Sequence, residues 1–169
     1  MSGMFSIVGS LLTSIAAFVL IVVAVATPGW LTPPSGGAGE GVFISCFNTA
    51  TAILVNCDNV FGNNVVGLVT AILCLCGAIF LLSGFVFFVM FINRDKKNQG
   101  YSAGVLWLFA AIVAIAAGIT YLATNFGLTT AGGGGSVFGY SFYLCWVGAG
   151  LSIVAAIFAF WAGSSGEFP

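Results

Sequence analysis

The sequence predicts an all-α membrane protein, a bundle of four transmembrane helices with a small β-structure outside the membrane. Of its 169 residues, 60% are apolar and 4% are charged, and the mean hydropathy of +1.19 lies far above the soluble globular range. Four stretches reach the roughly 20 apolar residues that a spanning helix needs. A segment between the first two is rich in β-branched and aromatic residues and contains two cysteines, which is typical of a stabilised hairpin.

The predicted spans are residues 5–26, 65–92, 102–124 and 140–162, within one domain covering 1–169. The first apolar run exceeds the ~7–15 residues of a signal-peptide core and has no basic flank, so we expect it to be retained. Pro28 ends the first helix because proline cannot continue the hydrogen-bond ladder. We expect the ring of Trp30 to settle at the membrane–water interface.

The basic residues indicate the orientation. Arg94, Lys96 and Lys97 are the only Lys or Arg in the chain, and all fall in the predicted loop 93–101, which the positive-inside rule places in the cytoplasm. We therefore expect a multi-pass plasma-membrane protein with both termini in the cytoplasm, including the tail 163–169. Segments 27–64 and 125–139 would then be extracellular.

The first external segment predicts a β-hairpin over residues 41–60, preceded by a Pro- and Gly-rich connector that we expect to link two strands. Cys46 and Cys57 lie near the two ends of the hairpin, one on each strand. In an oxidising extracellular setting we expect them to form a disulfide, which for so short a loop contributes roughly 2–3 kcal/mol. The alternative is two free, buried thiols. Cys74, Cys76 and Cys145 fall inside predicted helices and are interpreted as packing residues.

Two patterns point to contacts. Small residues recur at fourfold spacing within the predicted helices, which permits close helix packing in lipid, although a chain with 24 Gly shows some such pairs by chance. The second external segment ends in an aromatic stretch that is either an interfacial belt or a partner-contact surface. The small-residue pairs are Ser10 and Ser14, Gly67 and Ala71, Ala114 and Gly118, and Gly148 and Ser152, and the candidate contact residues are Phe138, Tyr140, Tyr143 and Trp146.

The composition excludes several classes of function. No ionisable residue occurs within the four predicted spans, whereas proton relays and ion pathways are built from such groups. The chain has no histidine and only four acids, so a nucleophile would have no base and we expect no enzymatic activity. We expect no catalytic or metal-binding residue, no cofactor and no small-molecule substrate. A net charge of −1 argues against nucleic acid as a partner. The protein is expected to act by binding.

One signature in the first external segment resembles that of the claudin superfamily. Trp30, then Gly41 and Phe43 before Cys46, then Cys57 follow the pattern Trp, Gly-Leu-Trp-x-x-Cys, Cys. The aromatic stretch 138–146 is similar to the start of the fourth helix in the epithelial membrane protein and peripheral myelin protein branch. The resemblance implies a left-handed four-helix bundle capped by a small antiparallel extracellular sheet, with the disulfide joining two of its strands.

The resemblance also implies a choice of roles. The first is cell–cell adhesion or a junctional barrier, in which the hairpin meets other copies of the protein in cis or in trans at cell junctions. The alternative is an auxiliary subunit of a larger channel or receptor, and a weaker third is a membrane-organising protein that handles lipid or traffic. Phe43 departs from the family Trp, no Arg follows Cys57, and the tail 163–169 lacks the hydrophobic end that PDZ domains bind. In each role membrane lipids are further partners.

Overall fold

The fold was analysed in a computed structural model, which describes residues 2–32, 41, 44–47, 56–59, 65–94, 97–130 and 137–165. Four long helices account for most of these residues, and four short strands lie between them. In chain order the elements are α1 (Ser2–Ala26), β1 (Leu31–Thr32), β2 (Ile44–Phe47), β3 (Asn56–Asn59), α2 (Val65–Arg94), α3 (Lys97–Thr130), β4 (Val137–Phe138) and α4 (Tyr140–Ser165).

All four helices are long and apolar enough to cross a membrane, as predicted. All four extend beyond the predicted spans, and α3 does so at both ends. The helix α2 continues to Arg94, and α3 runs from Lys97 to Thr130, so most of the predicted loop 93–101 and the start of the predicted external segment 125–139 are helical. The apolar run marks only the part of a helix that lies in hydrocarbon, whereas the backbone ladder continues into the polar interface where its ends can bond to water.

The helices pack in a ring in which each helix contacts two neighbours. The contacts are extensive between α2 and α3, between α3 and α4, and between α4 and α1, and are sparse between α1 and α2. Glycines allow close approach at the tight seams. A methyl group added at Gly9 would lie 3.2 Å from the Phe158 ring on the α1–α4 seam, and one at Gly118 would lie 2.9 Å from the Trp146 ring on the α3–α4 seam.

The small residues predicted to line the seams all face the interior. Each member of the four predicted pairs is buried, so the structure confirms the packing interpretation over chance. Two of the three hydroxyl groups in these pairs bond to their own helix, where no water is available, whereas the buried Ser10 hydroxyl has no hydrogen-bond partner in the described part of the chain. The hydroxyl of Ser14 donates to the Leu11 carbonyl at 3.0 Å, and that of Ser152 donates to the Gly148 carbonyl at 2.9 Å.

Two antiparallel strand pairs lie beyond the end of the bundle at which α1 ends and α2 begins, which we call the hairpin end. The strands β2 and β3 pair as the predicted hairpin. The predicted strand residues 53–55 and the connector 33–39 lie outside the described residues. The second pair, β1 with β4, was not expected from the sequence, and it joins the first external segment to the second.

Candidate functional site

The end of α1 is organised around Trp30. The last regular backbone bond of the helix runs from the Thr27 N–H to the Val23 carbonyl at 3.1 Å. The next carbonyl, that of Ala24, would normally accept from residue 28, but Pro28 has no N–H. The indole N–H of Trp30 takes this role and donates to the Ala24 carbonyl at 2.6 Å.

Trp30 is also the centre of an aromatic cluster that connects three helices. Its ring lies 4.8 Å from the ring of Tyr121 on α3 and 6.2 Å from that of Phe142 on α4, measured between centroids. Phe142 in turn stacks on Phe138 of β4 at 4.5 Å. Such aromatic pairs add about 0.5–1.5 kcal/mol each beyond their buried area. The cluster therefore fixes the position at which the chain leaves the bundle.

Backbone bonds attach the second external segment to the same place. The β1–β4 register pairs Leu31 with Phe138, and the Gly139 N–H donates to the Trp30 carbonyl at 3.0 Å. The Ser141 N–H donates to the Gly29 carbonyl at 2.9 Å. Residue 139 must be glycine for this approach, because a methyl group there would collide with the Gly29 carbonyl.

A hydroxyl pair completes the junction. Thr27 already donates its single hydroxyl proton to the Val23 carbonyl at 2.7 Å, so in its 2.6 Å contact with Ser141 the Ser141 hydroxyl is the donor. We call the group Thr27, Gly29, Trp30, Gly139, Ser141 and Phe142 the α1–α4 clamp. It holds the bases of both external segments on one end of the bundle.

The two hairpin cysteines lie opposite each other. The β2–β3 register pairs Cys46 directly with Cys57, and facing residues on an antiparallel pair are close enough for a disulfide. Their side chains lie outside the described residues, so the disulfide stays a prediction. Of the other signature residues, Gly41 is buried and Phe43 lies outside the described part of the chain.

The expectation that Trp30 settles at the lipid interface is wrong. Its side chain is fully buried, because its N–H donates to the Ala24 carbonyl and its ring packs against Tyr121 and Phe142. The spacing Pro28-x-Trp30 was the available signal, since a proline that removes a donor leaves a nearby carbonyl in need of another. Nothing in the local sequence pointed to Thr27 and Ser141, which lie 114 positions apart.

The four candidate contact residues separate into two kinds. Phe138 and Trp146 are half-buried and pack inside the chain. Tyr140 and Tyr143 are 57% and 58% exposed, and Val147 one turn further along α4 is 52% exposed. These three residues, which we call the α4 face, form one outward stripe at helical spacing. Tyr140 and Tyr143 are the exposed part of the predicted contact surface, and Val147 was not predicted.

Three further cysteines lie inside the helices α2 and α4. Cys74 and Cys145 are buried, as expected for packing residues, and Cys76 is half-buried. The Cys74 sulfur lies 3.9 Å from the Cys145 sulfur, where α2 and α4 meet across the bundle.

Comparison with protein-family models identifies the family. The sequence matches the model of the PMP-22/EMP/MP20/Claudin family over residues 4–159, a range that includes α2, α3, both external segments and most of α1 and α4. The chain belongs to this family. The protein is thus a claudin-like tetraspan membrane protein, in agreement with its four spanning helices and small antiparallel sheet. Comparison with curated proteins gives no match.

Proposed function

We propose that this claudin-like protein acts in cell–cell adhesion or in a junctional barrier, through the hairpin β2–β3. The observation that carries the proposal is the β2–β3 register, in which Cys46 faces Cys57. A two-stranded hairpin is marginal alone, and a disulfide at this position would give it a fixed shape that another copy of the protein can bind. The basic residues favour an extracellular location for this end.

The α1–α4 clamp supports the same role. The first external segment begins at this junction and the second ends there, so both segments are attached to a part of the bundle that is fixed by hydrogen bonds. The outward faces of the described spans carry large apolar residues, which are compatible with side-by-side packing of copies in the membrane. We infer a barrier rather than a strongly selective pore, because Glu40 and Asp58 are the only charged residues of segment 27–64 and pore selectivity requires charged groups.

The test is expression in a cell line without junctions, with accumulation at contacts between expressing cells and transcellular resistance as readouts. We expect enrichment at contacts and a rise in resistance. Cys46→Ser should remove both while surface delivery is retained, and Cys76→Ser, the same change on α2, should remove neither. A protein that stays diffuse at contacts would contradict adhesion.

A second candidate is an auxiliary subunit of a channel or receptor, and the α4 face favours it. Two tyrosines and a valine are exposed along one stripe of α4, so their side chains are available to a partner protein. Aromatic residues are enriched at protein interfaces. Purification in mild detergent followed by mass identification tests this role. A stoichiometric partner should be lost on Tyr140→Ala with Tyr143→Ala, and retained on Ile119→Ala, which truncates an exposed apolar residue on α3.

A further inference from the structure

The seam between α1 and α2 is the open side of the bundle. These two helices contact each other less than the other neighbouring helix pairs of the described chain, and two cavities lie along the seam. The cavity nearer the hairpin end has a volume of about 240 Å³. The second, nearer the middle of the helices, has a volume of about 110 Å³. We call the two together the α1–α2 groove.

The groove has a buried floor and an exposed rim. Ile21 and Cys74 at the floor are fully buried, as is Leu81 to within 1%. The rim residues Leu75 and Leu82 are 47% and 49% exposed. Because the rim lies on the outer surface of the membrane-spanning helices, the groove opens toward lipid.

The lining offers contacts to hydrocarbon and to nothing else. The only hydroxyl among the lining residues is that of Ser14, and it is bonded to the Leu11 carbonyl. The Cys74 sulfur lies against Cys145 inside the bundle. Apolar cavities stay free of water, and an unfilled one forfeits dispersion contacts along its walls. The lining therefore suits a hydrocarbon with no polar group at this depth.

The length of the groove corresponds to one leaflet. Its lining on α1 extends from Ser14 to Ala26, which at 1.5 Å per residue is about 18 Å, and half of the hydrocarbon core is about 15 Å. A cavity of about 150 Å³ holds benzene, so the two cavities provide space for on the order of a dozen carbons. Since the space is divided into two cavities along the seam, a flexible chain that can bend from one to the other fits it better than a rigid fused-ring sterol.

We propose that the α1–α2 groove binds one acyl chain of a phospholipid from the leaflet on the hairpin side. The middle of the chain lies in the larger cavity, against Ile21 and Leu75. Its terminal methyl lies in the smaller cavity, between Phe18 and Phe85. This site is independent of the adhesion or auxiliary role, because it uses neither the hairpin nor the α4 face.

The test uses the full chain in nanodiscs of phosphatidylcholine, in which a fraction of the lipid carries a photoreactive diazirine either at mid-chain or at the chain end. After illumination, peptide mapping locates the labelled residues. We expect the mid-chain probe to label the larger cavity and the chain-end probe to label the smaller one. Both should exceed labelling of the exposed α3 residues Ile112 and Ile119 severalfold.

Matched variants show whether the groove itself is responsible. Ala78→Leu fills the larger cavity from its floor and Ala26→Leu narrows it from its exposed rim, so each should remove most groove labelling and leave α3 labelling unchanged. Ala123→Leu makes the same change at an exposed position on α3 and should alter neither. Because Ala26 is exposed, its variant does not depend on repacking of the core.

Four results would overturn the proposal. Groove labelling equal to that of the α3 face would mean ordinary lipid contact. Labelling of the smaller cavity by the mid-chain probe and of the larger cavity by the chain-end probe would mean that the chain enters from the opposite leaflet. Loss of groove labelling when cholesterol is added would assign the groove to a sterol. Loss of groove labelling together with the appearance of cross-linked dimers would assign it to a second copy of the protein.

Discussion

Replacing Trp30 by phenylalanine tests the account of how α1 ends. The substitution keeps an aromatic ring in the cluster but removes the indole N–H that donates to the Ala24 carbonyl. Ala24 is fully buried, and Pro28 provides no other donor. An acceptor left buried without a partner costs about 1–3 kcal/mol, so Trp30→Phe should lower the free energy of unfolding by that amount beyond the loss of ring contacts.

A matched variant separates the hydrogen bond from the ring. Trp107 is also fully buried, and its indole N–H donates to the Leu81 carbonyl at 3.2 Å. Leu81 lies inside α2, so its carbonyl keeps a helical donor when the indole is removed. Trp107→Phe should therefore cost about 1–3 kcal/mol less than Trp30→Phe.

A double-mutant cycle completes the test. Pro28→Ala restores a backbone N–H one turn after Ala24, so in that background Trp30→Phe should cost no more than Trp107→Phe. The measurement is equilibrium unfolding in mixed detergent micelles, followed by far-ultraviolet circular dichroism because the number of tryptophans changes. If Trp30→Phe costs the same with Pro28 as with Ala at that position, within about 0.5 kcal/mol, the reasoning about the unsatisfied carbonyl is wrong.

Three further predictions concern the seams, the clamp and the hairpin. Gly118→Ala forces a methyl group against the Trp146 ring and should destabilise the protein by about 1–3 kcal/mol in the same unfolding assay. Gly150→Ala, whose added methyl group meets nothing within 4 Å, should not destabilise it. Equal effects of the two variants would contradict the tight α3–α4 seam. Ser141→Ala removes one donated hydrogen bond and should cost about 0.5–1.5 kcal/mol, and an unchanged unfolding curve would exclude this bond from the clamp. In Cys46→Ser the remaining hairpin thiol should react with a membrane-impermeant maleimide that leaves the hairpin of the unmodified protein unlabelled; labelling of both to the same extent would mean that no disulfide forms.

The helices and their inward faces could be predicted because the bilayer imposes them. A spanning helix must be about 20 apolar residues long, and only small residues allow helices to pack closely in lipid. Residues such as Gly118 and Gly148 therefore mark the interior in the sequence itself. The hairpin was equally visible, since its strands are near in sequence and each contains a cysteine.

The clamp could not be predicted because the residues that form it lie far apart in the sequence. The strands β1 and β4 have two residues each, too few to show an alternating pattern, and they pair across more than one hundred residues. The position of Trp30 depends on a carbonyl that becomes unsatisfied only when the helix is built to Pro28. The α1–α2 groove likewise arises from unequal packing around the ring, which no single helix encodes.

The extensive seam between α1 and α4 has a consequence for biosynthesis. Of the four described helices, α1 leaves the ribosome before the others and has its main partner in α4, and synthesis proceeds at about 5–20 residues per second. Until α4 is inserted, the α1 face that contacts it, including Gly9 and Ile21, faces lipid instead of protein. The bundle can therefore close only after α4 is inserted, and a chain truncated before α4 leaves this face of α1 without its main partner.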